Sequence, residues 1–173
     1  MGWMFYDCIN ITALAPLSRW ANKIGKVEKM NSMFAIEDYQ YSSILDANIF
    51  ANWDVSNVVD MSYMFQNRSL NSYYPLRNWD VSKVQDFAGM LNATTSSPIT
   101  TLSGLENWNV SSATDMSYML QDNFALTDAS AINNWNINSS IEFTKMFSQA
   151  PVHPEFTKVT GTWDSEGTFT PSS

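Results

Sequence analysis

Apolar and polar positions follow one pattern that recurs along the chain. The string Trp53-Asp-Val-Ser-Asn-Val-Val-Asp-Met-Ser-Tyr-Met-Phe65 aligns without a gap, over thirteen positions, with segments opening at Trp79, Trp108 and Trp135. Apolar columns run through Val55, Val81, Val110 and Ile137, then Met61, Phe87, Met116 and Phe143, then Met64, Met90, Met119 and Met146. Phe65, Leu91, Leu120 and Phe147 close the motif, and an acidic column of Asp60, Asp86, Asp115 and Glu142 runs through its middle. A looser copy passes through Trp20, Val27, Met30, Met33 and Phe34 with two extra residues, the chain begins inside another at Met1, Met4 and Phe5, and Trp163-Asp164 opens one that does not complete. All ten methionines fall in the Met columns and six of the seven tryptophans open repeats, so both are architecture and not cofactor ligands.

Within one repeat, Asn78-Trp79-Asp80-Val81 alternates with period two, which predicts a short strand with Trp and Val inward. Val58, Met61, Met64 and Phe65 lie at offsets 0, 3, 6 and 7, which predicts a helical stripe of about two turns. Asp60 then falls in the first helical turn, where a carboxylate meets unpaired N–H groups and the positive end of the dipole. A unit this small cannot bury its apolar face alone, so copies must stack. The expected fold is an α/β repeat solenoid, leucine-rich-repeat-like, with one short parallel strand and one short helix per repeat of 26–29 residues. Residues 1–150 hold about five repeats, the first truncated, and 151–173 form a C-terminal cap and tail. A solenoid cut open at Met1 would expose apolar surface, so a preceding flank is expected. Stacked Asn52, Asn78, Asn107 and Asn134, beside Asp54, Asp80, Asn109 and Asn136, are expected to bond backbone of the next coil.

Spacings between opening tryptophans are 33, 26, 29, 27 and 28, and the variation lies between the closing Phe or Leu and the next Trp. Variation confined to one segment maps to loops on one side of a stack, a side free to carry specificity.

Composition narrows the partners. With 17 acidic and 9 basic residues the formal charge is -8, which repels phosphate backbones and anionic lipid, so neither nucleic acid nor membrane insertion is expected. No stretch approaches the ~18 apolar residues that span a bilayer. The single Cys8 excludes an intrachain disulfide framework and is expected to be a small buried hydrophobe. Sequons stand at Asn10, Asn67, Asn92, Asn109 and Asn138 and matter only in a eukaryotic secretory pathway.

Catalytic chemistry is poorly supplied. His153 is the only histidine and lies in Pro-Val-His-Pro, a loop context, Cys8 has no histidine near it in sequence, and no Gly-rich phosphate loop exists. The acidic column offers one carboxylate per coil, whereas calcium wants several oxygens clustered in one loop, so helix capping accounts for it and no metal is assigned. The chain is expected not to be an enzyme and to hold no cofactor.

Binding candidates are aromatic. Ten residues after the opening Trp come Trp3, Tyr63 and Tyr118, the same column holding Ser32, Gly89 and Lys145, so the position does not demand an apolar residue and is expected to face out. Tyr73 and Tyr74 lie in a variable segment. Exposed rings beside Asn and Ser suit contact with sugar or protein.

The string Asn52-Trp-Asp-Val-Ser-Asn-Val-Val-Asp-Met-Ser-Tyr-Met-Phe65 resembles the 26-residue repeat of bacterial surface proteins grouped as the BspA-like leucine-rich-repeat family, over roughly Met1 to Phe147. Met1 to Cys8 is similar to the end of such a repeat. The resemblance implies secretion or cell-surface display and adhesion to protein or glycan on another surface, with Trp3, Tyr63, Tyr73, Tyr74 and Tyr118 as ligand-binding candidates read from the residues. It carries over no catalytic residue. The alternative expectation is a structural subunit of an extracellular filament or virion or cell-surface assembly, its partners copies of itself.

Overall fold

The computed structural model describes residues 1–9, 11, 14–21, 23–38, 40 and 43–172. The repeats stack one upon another, joined at the acidic column by single parallel bridges from Lys29 to Asp60, Asp60 to Asp86, Asp86 to Asp115 and Asp115 to Glu142. Bridges from Leu45 to Leu70 and from Thr101 to Asp128 join the segments that run from the closing Phe or Leu to the next Trp.

The α/β solenoid with a parallel strand and a helix in every repeat is overturned, and the leucine-rich-repeat-like reading with it. Among the described residues the named strands are β1 (Gly161–Trp163) and β2 (Phe169–Pro171), an antiparallel pair. Helix occurs as short 3-10 segments, Ala15–Trp20, Ala47–Phe50, Tyr74–Asn78 and Ser130–Ile132. The physical reason lies in the column ten residues after the opening Trp. Trp3, Ser32, Tyr63, Gly89, Tyr118 and Lys145 have φ between 52 and 62°, whereas an α-helix needs φ near −63°. One left-handed residue in the middle of each expected helix ends it.

The three-residue spacing of apolar positions comes instead from turns. The Val58, Met64 and Gln66 N–H groups donate to the carbonyls of Val55, Met61 and Tyr63, so Val58, Met61, Met64 and Phe65 still share one buried face. Alternate N–H groups then point along the stack. Those of Met61, Tyr63 and Phe65 donate to Asp86, Ala88 and Met90 of the next coil at 2.9, 2.6 and 3.1 Å, and those of Phe87, Gly89 and Leu91 repeat the pattern onto Asp115, Ser117 and Met119. The result is a parallel ladder made by turn residues and not by extended strands.

The acidic column serves these turns. Asp60 Oδ1 accepts the Ser62 N–H at 3.1 Å and its hydroxyl at 2.7 Å, Asp86 Oδ1 accepts the Ala88 N–H at 2.9 Å, and Glu142 Oε1 accepts the Thr144 N–H at 2.9 Å. These are side-chain-closed turns, not helix caps. The neighbouring polar column behaves alike: Asp54, Asp80 and Asn109 accept the N–H groups of Ser56, Ser82 and Ser111 locally. Amides that do cross between coils come from other positions, Asn57 to the Gly25 carbonyl at 2.7 Å and Asn67 to the Ile36 carbonyl at 3.0 Å.

The tryptophans tie the core. Trp53, Trp79, Trp108 and Trp135 are buried. Each indole N–H donates to a carbonyl one coil back, Leu17, Phe50, Leu76 and Leu105 respectively, at 2.7 to 3.1 Å. The Phe50, Leu76 and Leu105 carbonyls also accept the backbone N–H of their own repeat's Trp, so both oxygen lone pairs are used. Trp79, Trp108 and Trp135 stack nearly parallel at 6.2 and 6.4 Å. Burial of Met30, Met33, Phe34, Met61, Met64, Met90, Met116, Met119 and Met146 fills the rest of one continuous core.

At the C-terminal end the donors of the last coil meet the β1–β2 hairpin. The Lys145 N–H donates to the Thr168 hydroxyl at 2.9 Å and the Phe147 N–H to the Gly167 carbonyl at 3.0 Å. Gly167 has φ 75°, and a Cβ there would collide with the Phe147–Ser148 backbone. Trp163, expected to open another repeat, instead lies in β1, packs edge-on against Phe147 at 5.2 Å and donates to the Pro154 carbonyl nine residues before it.

Candidate ligand-binding face

The left-handed column forms a row along one face, one residue per coil. Its members are Trp3, Ser32, Tyr63, Gly89, Tyr118 and Lys145, so rings alternate with smaller residues over the first five coils. A left-handed backbone disfavours any side chain beyond Gly, Asn or Asp by roughly 1–2 kcal/mol. Aromatic rings at three of these places are therefore not explained by backbone needs. Trp3 is exposed, and Tyr63 and Tyr118 are half-buried. The Tyr63 ring lies over Gly89, where a Cβ would collide with it.

Between the first and third coils the row opens into a cleft of about 480 Å³. Trp3 and Tyr6 stand at one side, their centroids 4.5 Å apart, and Tyr63 at the other. Ser32, Asn31, Ser62 and Gln66 complete it. The Tyr6 hydroxyl donates to Glu37 at 2.7 Å, and that bond, with burial and the carboxylate's charge, holds its pKa above the usual phenol value. Burial first, then the charges of Asp115 and Asp86, raises that of Tyr63. Both phenols are neutral donors at physiological pH.

The other two aromatic candidates lie elsewhere. Tyr74 is exposed at the start of the 3-10 segment Tyr74–Asn78, with the Arg77 guanidinium 4.3 Å over its ring. Tyr73 is buried, and its hydroxyl donates to Asn123 Oδ1 at 3.3 Å. Desolvation pushes its pKa far up. Its ring belongs to the core and presents nothing to a ligand.

Among the described residues no group of three His, Cys, Asp or Glu side chains could hold a metal ion. Nor is any of their helices long and apolar enough to cross a membrane. His153 is exposed and stacks on Trp163 at 4.9 Å. Cys8, expected to be buried, is exposed; it lies three residues past the closing Phe5, and Glu37 at the equivalent place of the next coil is exposed too. Of the sequons, Asn92 is buried, the Asn67 amide is held by Ile36, Asn109 and Asn138 are exposed, and Asn10 lies outside the described residues. Sequence reasoning missed Arg68, a buried guanidinium that donates to the Cys8 carbonyl at 2.9 Å and the Ser43 hydroxyl at 3.0 Å. Burial lowers its pKa. No repeat column marks it, so spacing gave no signal.

The described residues thus form a stack of turn-built repeats that carries a row of left-handed residues, three of them aromatic, along one face. The family model described as "Mycoplasma protein of unknown function, DUF285" matches residues 1–100 and 102–170, and the chain belongs to that family. No curated protein and no solved structure matches it.

Proposed function

We propose that the chain is a non-enzymatic binding module displayed at a cell surface, which contacts protein or glycan through the face carrying the left-handed row. The observation that carries this reading is the placing of Trp3, Tyr63 and Tyr118 at backbone positions that disfavour them and point them away from the core. Strained positions of this kind concentrate where a side chain has a task beyond folding. Rings of this type give large contact area at low entropic cost. Surface display is supported by the resemblance of the repeat to BspA-like surface proteins. Assembly of copies head to tail is the weaker reading, since the hairpin already takes the Lys145 and Phe147 N–H groups that an added copy would need.

The test is binding of the purified chain to immobilised extracellular-matrix proteins and glycans, followed by interferometry. Saturable binding that drops about tenfold or more in a Trp3→Ala, Tyr118→Ala double variant supports the reading. Blank responses across both classes of target overturn it.

A further inference from the structure

We infer that the cleft between Trp3 and Tyr63 is a subsite for one ring of a neutral polysaccharide, a pyranose held between aromatic side walls over a polar floor. This rests on the binding-module reading and specifies its ligand. The side walls belong to alternate coils, with Ser32 of the intervening coil between them. Neighbouring coils of a backbone ladder lie about 4.8 Å apart, so alternate coils are about 10 Å apart. A saturated ring between two aromatic planes needs roughly 7–8 Å, twice the carbon–carbon contact distance, so the span admits one with a little space to spare. A small residue at Ser32 leaves that room, and a large one would close it. Farther along the row Tyr63 leans onto Gly89, which covers the equivalent gap and leaves the first as the open one.

The floor chemistry fits a polyhydroxylated ring. Asn31 and Gln66 offer neutral amides, with the largely buried Ser32 and Ser62 hydroxyls behind them, that of Ser62 already donating to Asp60 at 2.7 Å. Amides both donate and accept, as sugar hydroxyls do. The C–H faces of a pyranose are apolar, as are the rings of Trp3 and Tyr63 that line the cleft. No Lys or Arg lines the cleft, Glu37 stands at the Tyr6 hydroxyl, and the chain carries a charge of -8. Acidic sugars are therefore disfavoured.

The experiment uses the full chain with glucose, mannose, galactose and N-acetylglucosamine hexasaccharides as probes, and a galacturonate hexamer as the anionic counterpart. Aromatic-region NMR follows the Trp3 and Tyr63 rings, and calorimetry gives affinity. Saturable shifts at both rings with at least one neutral probe are expected. Tyr63→Ala should weaken binding about tenfold, while Tyr63→Phe, which keeps the ring, should stay within about twofold. Asn31→Trp, which fills the floor, should abolish it, with thermal melts confirming that each variant is folded. No shift with any neutral probe, shifts that spare Trp3 and Tyr63, or equal binding of the galacturonate hexamer would each overturn the inference. If the chain nevertheless binds a matrix protein, or a glycan away from the cleft, the module reading stands and only the subsite falls.

Discussion

The Trp108 side chain shows how one residue type serves both packing and polar satisfaction. Its ring stacks between Trp79 and Trp135 at 6.2 and 6.4 Å, and its indole N–H reaches the Leu76 carbonyl at 3.0 Å. Trp108→Phe keeps most of the apolar contact and leaves one buried lone pair unused, so a loss of about 1–3 kcal/mol is expected. Trp108→Ala also opens a cavity and should lose about 3–5 kcal/mol. Urea unfolding with an unchanged slope checks both, and equal stability of Trp108→Phe and the parent would refute the bond's role. At the left-handed column the expectation reverses. Ser32 has φ 52°, so Ser32→Gly should raise stability by about 0.5–1 kcal/mol, while Gly89→Ala, with φ 57° and the Tyr63 ring against it, should lose more than that. A melting series with no ordering of these variants would remove strain from the account.

The turn is the element that the sequence disguised. Apolar offsets of 0, 3, 6 and 7 from Val58 fit two helical turns, and they fit successive three-residue turns equally well, because both bring such residues to one face. The distinguishing signal was present but thin: Gly89 in the tenth column, and Asp7, Asn67 and Asp122 at the second left-handed position of their coils, are residues that tolerate positive φ. Hydroxyl and N–H donors two residues on hold the carboxyls of Asp54, Asp80, Asp128 and Glu142 below the usual range, and the Asn48 N–H and amide do so for Asp46. A depressed folded pKa gives stability that is present above the unfolded carboxyl value of about 4 and is lost as pH falls through the folded value. The melting temperature should therefore fall between about pH 5 and pH 2. Asp86 runs the other way, since burial, then the charges of Asp60 and Asp115, raise its pKa. Its charge opposes folding at neutral pH, so Asp86→Asn, which keeps an oxygen for the Ala88 N–H, should raise the melting temperature at pH 7 and change it little at pH 3. A gain that persists undiminished at pH 3 would contradict this sign. Because one oxygen of each carboxylate in the column already closes a turn and no three acidic, Cys or His side chains come together among the described residues, EDTA should leave the melting temperature unchanged.

At the scale of the whole molecule, the repeat and the inward Trp and Val columns were legible, because each is a matter of period, whereas the tenth column, read as facing out, is mixed: Trp3 is exposed, Tyr63, Tyr118 and Lys145 are half-buried, and Ser32 and Gly89 are buried. The cleft was not legible, since it depends on which coil carries Ser32 between two rings and on the way Tyr63 leans. Tyr73 was indistinguishable from Tyr74 by position, and only the fold puts one in the core and the other in solvent. The two ends of the stack differ in a way that a measurement can read. The last coil's donors are taken by the hairpin, and Phe143, Phe156, Trp163 and Phe169 pack within about 6 Å of one another in a chain of ring contacts. At the other end Met4 is exposed, although every later residue of its column, from Met33 to Met146, is fully buried. Opening free energy follows local burial, so amide exchange should be fastest at Trp3, Phe5 and Asp7 and slowest at Met61, Tyr63, Phe65 and their equivalents in the next coil. Exchange at Lys145 and Phe147 should resemble the middle of the stack. Gly167→Val, which forces the hairpin away from the Phe147–Ser148 backbone, should speed exchange at those two amides first and spread inward coil by coil, with the melting temperature falling. If the substitution accelerates all coils equally, the stack unfolds as a single unit and the hairpin does not act as a local lock on its end.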